Sequence, residues 1–454
     1  MTGFSKRKFS NITIIAISLL AMVNFSQLKF WDKPNRIIAW DVLSYYAYLP
    51  ASFIYDDITL DFIETDSFYG DKFWPQVTPE GDKVIKTTMG VAWFYIPGFV
   101  AGHITAKLTG HNADGFSPPY RFFLQLGGII FMIIALVMLR NLLLLWFSDA
   151  VAAATVALTA FGTSLYYYGT LESTYSHIYS FFLVVLVIRE TIRFYDRPNR
   201  YTPAIIGFAV GLATLIRPSN IIIGMVFLLW NVGGKEDLIA RYRMFLKRYN
   251  EIAVIALFFL LPWIPQLLYW KAITGEWFYY SYQDERFFFL NPHFIKGLFS
   301  FRKGLFIYSP VVLVMWSGIF LLQGKLKKLR PLLLLFTLIN TWIIFSWWCW
   351  WYGGSYGQRP FIDTLGLYAI PLAAAIDYLS KAGRKLKYPA YILLLLLLSH
   401  GIFQTAQYYH GSIHWDSMTK AAWVDSFGRL DPSDRFQSLL EEPDYEKARK
   451  TGRE

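Results

Sequence analysis

Asp41, in the stretch Trp40-Asp41-Val42-Leu43-Ser44-Tyr45-Tyr46, follows the first apolar segment of a chain made mostly of apolar segments. A carboxylate kept among aromatic rings at a bilayer surface is expensive, which marks it for a task, and acid–base work is the chemistry that it offers. Tyr45 lies four positions on, sharing a face with Asp41 if residues 40–49 form a helix along the surface. The same spacing allows a plainer role, because Asp is a good N-cap for such a helix.

A second acidic residue, Glu172, is isolated in the loop 166–175 beside Tyr168, Tyr175 and His177. Rings and a carboxylate are what a hydroxylated ring needs, so contact with a sugar or a metal is one reading and a hydrogen-bonded turn the other. His177 alone suits a satisfied interface histidine as well as a ligand. The cations Lys86, Arg121, Arg217, Arg286 and Arg359 form a third group, on the side of the membrane where the positive-inside tendency does not put them. Each could snorkel to headgroups, and each could grip a lipid phosphate or pyrophosphate, with arginine giving a bidentate hold. The phosphate reading is stronger for Arg217 in Leu215-Ile216-Arg217-Pro218-Ser219-Asn220, which interrupts an apolar hairpin. It is also stronger for Arg359, where Gly353, Gly354 and Gly357 allow close backbone approach.

The elements that must position these residues are membrane helices. The 454 residues are 55% hydrophobic and 17% charged, and the mean hydropathy is +0.34. That balance describes an all-α, polytopic membrane protein rather than a large soluble core. Aromatics, at 19%, cluster near expected helix ends, where Trp and Tyr favour the headgroup layer. The net charge of +11 sits between apolar spans, so it reads as positive-inside patterning and not as a nucleic-acid surface. The single cysteine, Cys349, excludes an intrachain disulfide and argues against a zinc–thiolate cluster. Lys6, Arg7 and Lys8 before 11–23 have the charge pattern of a secretory signal, yet no small-x-small site follows, and the segment is expected to stay as the first span.

Expected spans are 10–27, 120–147, 150–166, 176–194, 201–216, 219–232, 251–270, 308–323, 331–347, 361–380 and 388–405. The segment 88–107 is apolar but broken by Gly90, Pro97, Gly98 and Gly102. If it does not cross, every strongly basic short loop falls on the cytoplasmic side, which predicts eleven crossings, the N-terminus inside and the C-terminus outside. The outer face then receives the long loop 28–119 with its surface helices, 166–175, Arg217, 272–307, 347–360 and the tail. The chain divides into a transmembrane unit, 1–405, and a short outer tail, 406–454, expected as a small appendage rather than an independent domain, with partial disorder as an alternative. A P-loop, GxGxxG, HExxH and GxSxG are all missing, which disfavours a soluble nucleotide donor. No inverted repeat is visible.

Asp41 with Tyr45 and Tyr46, Lys86 before an apolar segment, Arg121 opening the next span and Glu172 in the following outer loop together resemble the GT-C superfamily of polytopic glycosyltransferases. The resemblance is to the polyprenyl-phosphate-sugar branch, which includes protein O-mannosyltransferases and lipid A aminoarabinose transferases, and it covers residues 1 to about 380. It departs at Val42, where many members have Glu, and at Thr87-Thr88, where many have prolines.

It implies Asp41 and Glu172 as catalytic groups with Tyr45, Tyr46, Lys86 and Arg121 holding substrate, and the reading of the residues adds Tyr175, His177, Arg217 and Arg359 to the expected site. The expected activity is an inverting transfer from a polyprenyl-phosphate sugar to a hydroxyl of a glycan, lipid or protein. It would occur on the outer side of the cytoplasmic membrane, with Asp41 as base and the cations on the lipid phosphate. No organic cofactor is implied, and whether a divalent metal joins Asp41 and Glu172 is open. Membrane lipids are expected partners and nucleic acid is not. A transporter or flippase for a lipid-linked sugar is the alternative, and a silent scaffold a third reading.

Overall fold

The computed structural model describes residues 7–64, 73–197 and 199–453; Lys6, expected on the inner face, lies outside them. Each expected span carries helix: Lys8–Leu28, Pro118–Leu143, Asp149–Phe161, Ser176–Asp196, Thr202–Ile216, Gly224–Leu229, Tyr249–Leu260 continued by Ile264–Thr274, Val311–Ser317, Arg330–Ser346, Leu365–Lys381 and Arg384–His410. Among the described residues, six helices are long and apolar enough to cross a membrane. The expectation of eleven full crossings is therefore not met by length. Asp149–Phe161 has 13 residues, about 20 Å at 1.5 Å per residue, against a hydrocarbon core of about 30 Å.

Breakers cause the shortness. Pro218 has no N–H to donate, so Thr202–Ile216 ends at Arg217 in an extended conformation (φ −148°, ψ 121°) and the chain resumes as a 3-10 turn, Pro218–Ile223. The helix at Leu365–Lys381 lies at the centre, its apolar window 83% buried, whereas only 17% of the windows in Tyr249–Thr274 and Arg384–His410 is buried. The last two present leucine and isoleucine outward, as lipid-facing helices do.

The outer loop departs from all-α. Gln76–Val77 pairs antiparallel with Lys83–Val84 in a two-stranded hairpin. Residues 88–107 form most of a continuous helix, Ala92–Thr109, despite Pro97; it buries Ala92, Tyr95, Phe99, Gly102 and Ala106 at helical spacing. At the other end of the molecule Asp149 accepts from the backbone N–H groups of Phe9 (2.7 Å) and Ser10 (3.2 Å). It thereby satisfies donors that a helix start leaves unpaired.

The tail packs against the outer loops. Arg302 donates to the carbonyls of Asp416 (2.9 Å) and Glu441 (3.1 Å), and Asn291 to that of Gly452 (3.3 Å). Tyr445 packs edge-on against Trp351, and the Lys303 ammonium donates to the carbonyls of Ser355 and Trp415. These bonds satisfy carbonyls of the tail and of the loop before Arg359.

Candidate active site

Asp41 opens a short helix, Asp41–Tyr46, after Trp40 in a left-handed conformation (φ 51°) that costs a bulky residue energy. Its carboxylate makes no capping bond to that helix. Oδ2 instead lies 2.9 Å from an Arg359 amino nitrogen. The cap position of that helix falls on Trp40, one residue before Asp41. The Asp41 side chain is 42% exposed, so it is open to solvent beside its partner. Burial pushes its pKa up, but Arg359, Arg217 and the Arg359 hydrogen bond outweigh it and hold the carboxyl below its usual range.

Arg359 stacks over the Tyr175 ring at 5.4 Å, and its buried Nε has no hydrogen-bond partner. Its backbone is held by the loop before it. The N–H of Tyr356 donates to the Tyr168 hydroxyl (2.9 Å), that of Ser355 to the Trp415 carbonyl (3.0 Å), and the Gln358 amide to the Trp350 carbonyl (3.2 Å).

Lys86 sits on the best-tied segment of the outer loop. The Ile85 N–H donates to the Tyr269 hydroxyl (3.0 Å), the Thr87 N–H to Ser44 Oγ (3.2 Å) and the Met89 N–H to Gln266 (2.7 Å). Tyr48 donates to the Thr87 carbonyl (2.6 Å), and Ser281 donates to that of Lys86. A Cβ at Gly90 would stand 2.4 Å from the Ile216 nitrogen, so only glycine lets this segment reach the end of the helix that carries Arg217. The Lys86 ammonium pairs with Glu285, over the Tyr282 ring at 5.3 Å, and Trp348 Nε1 donates to the same carboxylate (3.2 Å). Both ion pairs, Asp41–Arg359 and Lys86–Glu285, therefore join the first outer loop to later ones.

Arg217 is 21% exposed and 4.0 Å from Asp363. An amino group lies 3.4 Å from His177 Nε2, and His177 Nδ1 is 2.7 Å from Asp363 Oδ1. Tyr45, whose hydroxyl is 3.4 Å from Ser176 Oγ, interacts electrostatically with both Asp41 and Arg217. Tyr282 does so as well.

Glu172 sits on the turn before the helix Ser176–Asp196, accepting from Tyr167 (3.0 Å). Burial raises its pKa against the pull of Arg36, Tyr167 and Arg359. Asp41 and Glu172 feel each other's charge. Among the described residues no group of three His, Cys, Asp or Glu side chains could hold a metal ion.

Ion pairs, ring contacts and electrostatic interactions thus link Asp41, Tyr45, Tyr175, His177, Arg217 and Arg359, with Glu172 coupled to Asp41 and Arg359 and Lys86 joined to the group through Tyr282. Tyr46 and Arg121 are not brought to it. Tyr46 is fully buried and donates to the Gly115 carbonyl (2.5 Å). The Arg121 guanidinium, also buried, donates to the carbonyls of Trp31 (2.5 Å) and Phe116 (2.6 Å), so it closes the outer loop on itself. The exposed Arg286 lies over Phe288. Residues that the sequence reading missed are Asp363, Asn220, Tyr282 and Glu285. A carboxylate at 363, inside an expected apolar span, was the available signal. Glu285, amid Gln283, Asp284 and Arg286, reads as a solvated charge.

No protein-family profile and no curated protein matches the chain. Among solved structures, the Archaeoglobus fulgidus oligosaccharyltransferase, crystallised with Zn and sulfate, is similar at a TM-score of 0.48 and 13% identity, over 87% of this chain and 52% of that one. The chain spans about half the length of that protein. At that distance the functional reading rests on the site.

Proposed function

We propose that the chain is a GT-C-type membrane glycosyltransferase that moves a sugar, with inversion, from a polyprenyl-phosphate donor to an acceptor hydroxyl on the outer side of the cytoplasmic membrane. The observation that carries this is Asp41: an accessible carboxylate 2.9 Å from Arg359, with the charge of Arg217 also acting on it. In this reading the donor phosphate draws on Arg217, Arg359 and Lys86, and Tyr175 and Tyr282 offer faces for the sugar ring. An apolar groove of about 330 Å³, lined by Leu49, Phe53, Phe99 and Val100 between the helices Tyr48–Phe53 and Ala92–Thr109, suits a prenyl chain.

Asp41 takes the proton of the acceptor hydroxyl as its oxygen bonds to the anomeric carbon. The bond from that carbon to the phosphate oxygen breaks, and the phosphate leaves with the electron pair. The charge that develops on it is met by the cations, so their attraction lowers the barrier. One such contact at about 4 Å and an effective dielectric near 20 amounts to about 4 kcal/mol as an upper figure. As Arg359 turns to the phosphate it loosens its hold on Asp41, and the carboxylate becomes a stronger base at the moment a base is needed.

An outward-facing site goes with eleven crossings, four of them by short or broken helices and one by Ser176–Asp196, which is 21 residues long but carries charges toward its end. A flippase or transporter would use the same cations and rings but has no need of an accessible carboxylate between them. Incubation of purified protein with a synthetic short-chain polyprenyl-phosphate sugar and a simple hydroxyl acceptor tests the reading: a glycoside of inverted anomeric configuration is expected. Donor bound or moved across vesicles without any glycoside formed would favour the transporter.

A further inference from the structure

Behind Arg217, and apart from that residue unused in the mechanism above, lies a buried polar cluster in which helix ends meet. His177 and Ser180 come from the first turns of Ser176–Asp196, and Asp363 from the 3-10 turn Arg359–Thr364. Arg217 and Asn220 come from the break at Pro218. His177 is fully buried and Asp363 is 2% exposed. A carboxylate there is held only if its surroundings supply donors and a cation. Asp363 Oδ1 lies 2.7 Å from His177 Nδ1, and Oδ2 lies 3.4 Å from the Asn220 amide nitrogen and 4.0 Å from an Arg217 amino nitrogen. The same Asn220 nitrogen reaches Ser180 Oγ at 3.2 Å.

The donors fix the protonation pattern. An arginine has only N–H groups to offer, so at 3.4 Å His177 Nε2 must be the acceptor. His177 Nδ1 then carries the proton and donates it to Asp363, and the histidine is neutral. The cluster sums to zero charge, with Asp363 balancing Arg217. One guanidinium amino group faces Asp363 and the other His177, while 21% of the side chain stays exposed and its charge acts on Asp41 and Tyr45.

We infer that Asp363 and His177 are positioning residues that hold the Arg217 fork in one orientation, its exposed part open to an anionic phosphate in the site. This rests on the phosphate role given to Arg217 above. A flexible arginine would pay rotamer entropy at each binding event, whereas one already fastened does not. Asn220 completes the arrangement by satisfying the carboxylate oxygen that His177 does not reach.

The test is a double-mutant cycle on the full-length protein in detergent, read in two ways. The first readout is the unfolding temperature. Arg217→Ala leaves Asp363 without its cation and is expected to lower it, and Asp363→Asn added to Arg217→Ala is expected to restore part of the loss. Additive losses would overturn the pairing, whatever the protein binds. The second readout is affinity for geranyl phosphate, with inorganic phosphate alongside to separate a lipid-phosphate site from one for the free ion. Asp363→Asn and His177→Phe should each weaken binding on the order of tenfold, as loss of a hydrogen bond to a charged group does. His177→Gln, which keeps an acceptor near the Nε2 position, should recover part of it. In the Arg217→Ala background Asp363→Asn should change nothing further. Folded Asp363→Asn protein with wild-type affinity for geranyl phosphate would overturn the positioning role. Wild-type protein that binds neither phosphate would instead fail the phosphate reading and leave the unfolding cycle to decide the pairing.

Discussion

Asp41 and Arg359 form a pair whose members restrain each other. Because Arg359 and Arg217 hold the Asp41 carboxyl below its usual range, it is ionised at neutral pH, and its pairing contributes stability that is present above its ordinary 3.8 and lost as pH falls through the lower folded value. Arg359→Ala removes the nearest cation while the burial remains, so the pKa must rise. The acid limb of the transfer rate is expected to move to higher pH in that variant; a limb that stays in place would show that Asp41 does not govern it. Arg217→Ala should weaken donor binding, and Arg217→Lys should rescue it only in part, because an ammonium cannot reproduce a fastened fork. Titration of both variants with donor lipid phosphate measures this. At this scale the sequence disclosed Asp41, Arg217 and Arg359 because each is a charge among apolar neighbours. Glu285 stayed hidden because its partners Lys86 and Trp348 are far away in the chain.

The elements position the site by close approach and by carbonyl-anchored cations. A Cβ at Gly128 would stand 1.9 Å from the Ser173 carbonyl, whereas one at Gly127, in the same helix, meets nothing within 4 Å. Gly128→Ala must therefore push away the turn that bears Glu172 and is expected to cost several kcal/mol, while Gly127→Ala should be neutral or stabilising by up to about 1 kcal/mol. Equal unfolding temperatures for the two variants would refute the packing described. Lys303 fastens the tail to the loop before Arg359, and burial, opposed by Asp416 and aided by Arg359 and Arg302, pushes its pKa down to about 7. The unfolded chain then binds a proton that the folded one lacks between about 7 and the ordinary 10.5. Stability from this residue should rise with pH across that window, and Lys303→Met should flatten the rise in unfolding temperature measured from pH 7 to 10. Helix positions were legible because apolar runs are long and breakers such as Pro218 are local. The docking of the tail was not, since it depends on Arg302 and Lys303 meeting carbonyls more than a hundred residues away.

For the whole molecule, the arrangement of charges predicts sidedness. The helix Lys235–Lys247 is basic and exposed, and the tail packs on the loops that carry the site. In a Cys349→Ser background, a cysteine at Asp434 should label with an impermeant maleimide in intact cells and one at Lys247 only after lysis. The exposed positions are used because most of 166–175 is buried. Labelling at 247 in intact cells would reverse the topology. The central claim is that Asp41 is the base of a sugar transfer, and single-turnover transfer by Asp41→Asn protein measures it most directly. Asn keeps the size and shape of the side chain, so the change removes the charge, with its pairing to Arg359, and the proton acceptor. The account predicts that the variant folds, still binds the polyprenyl-phosphate sugar and transfers it on the order of 10² to 10⁴ times more slowly than wild type. Transfer at the wild-type rate by folded, donor-loaded Asp41→Asn protein would contradict it.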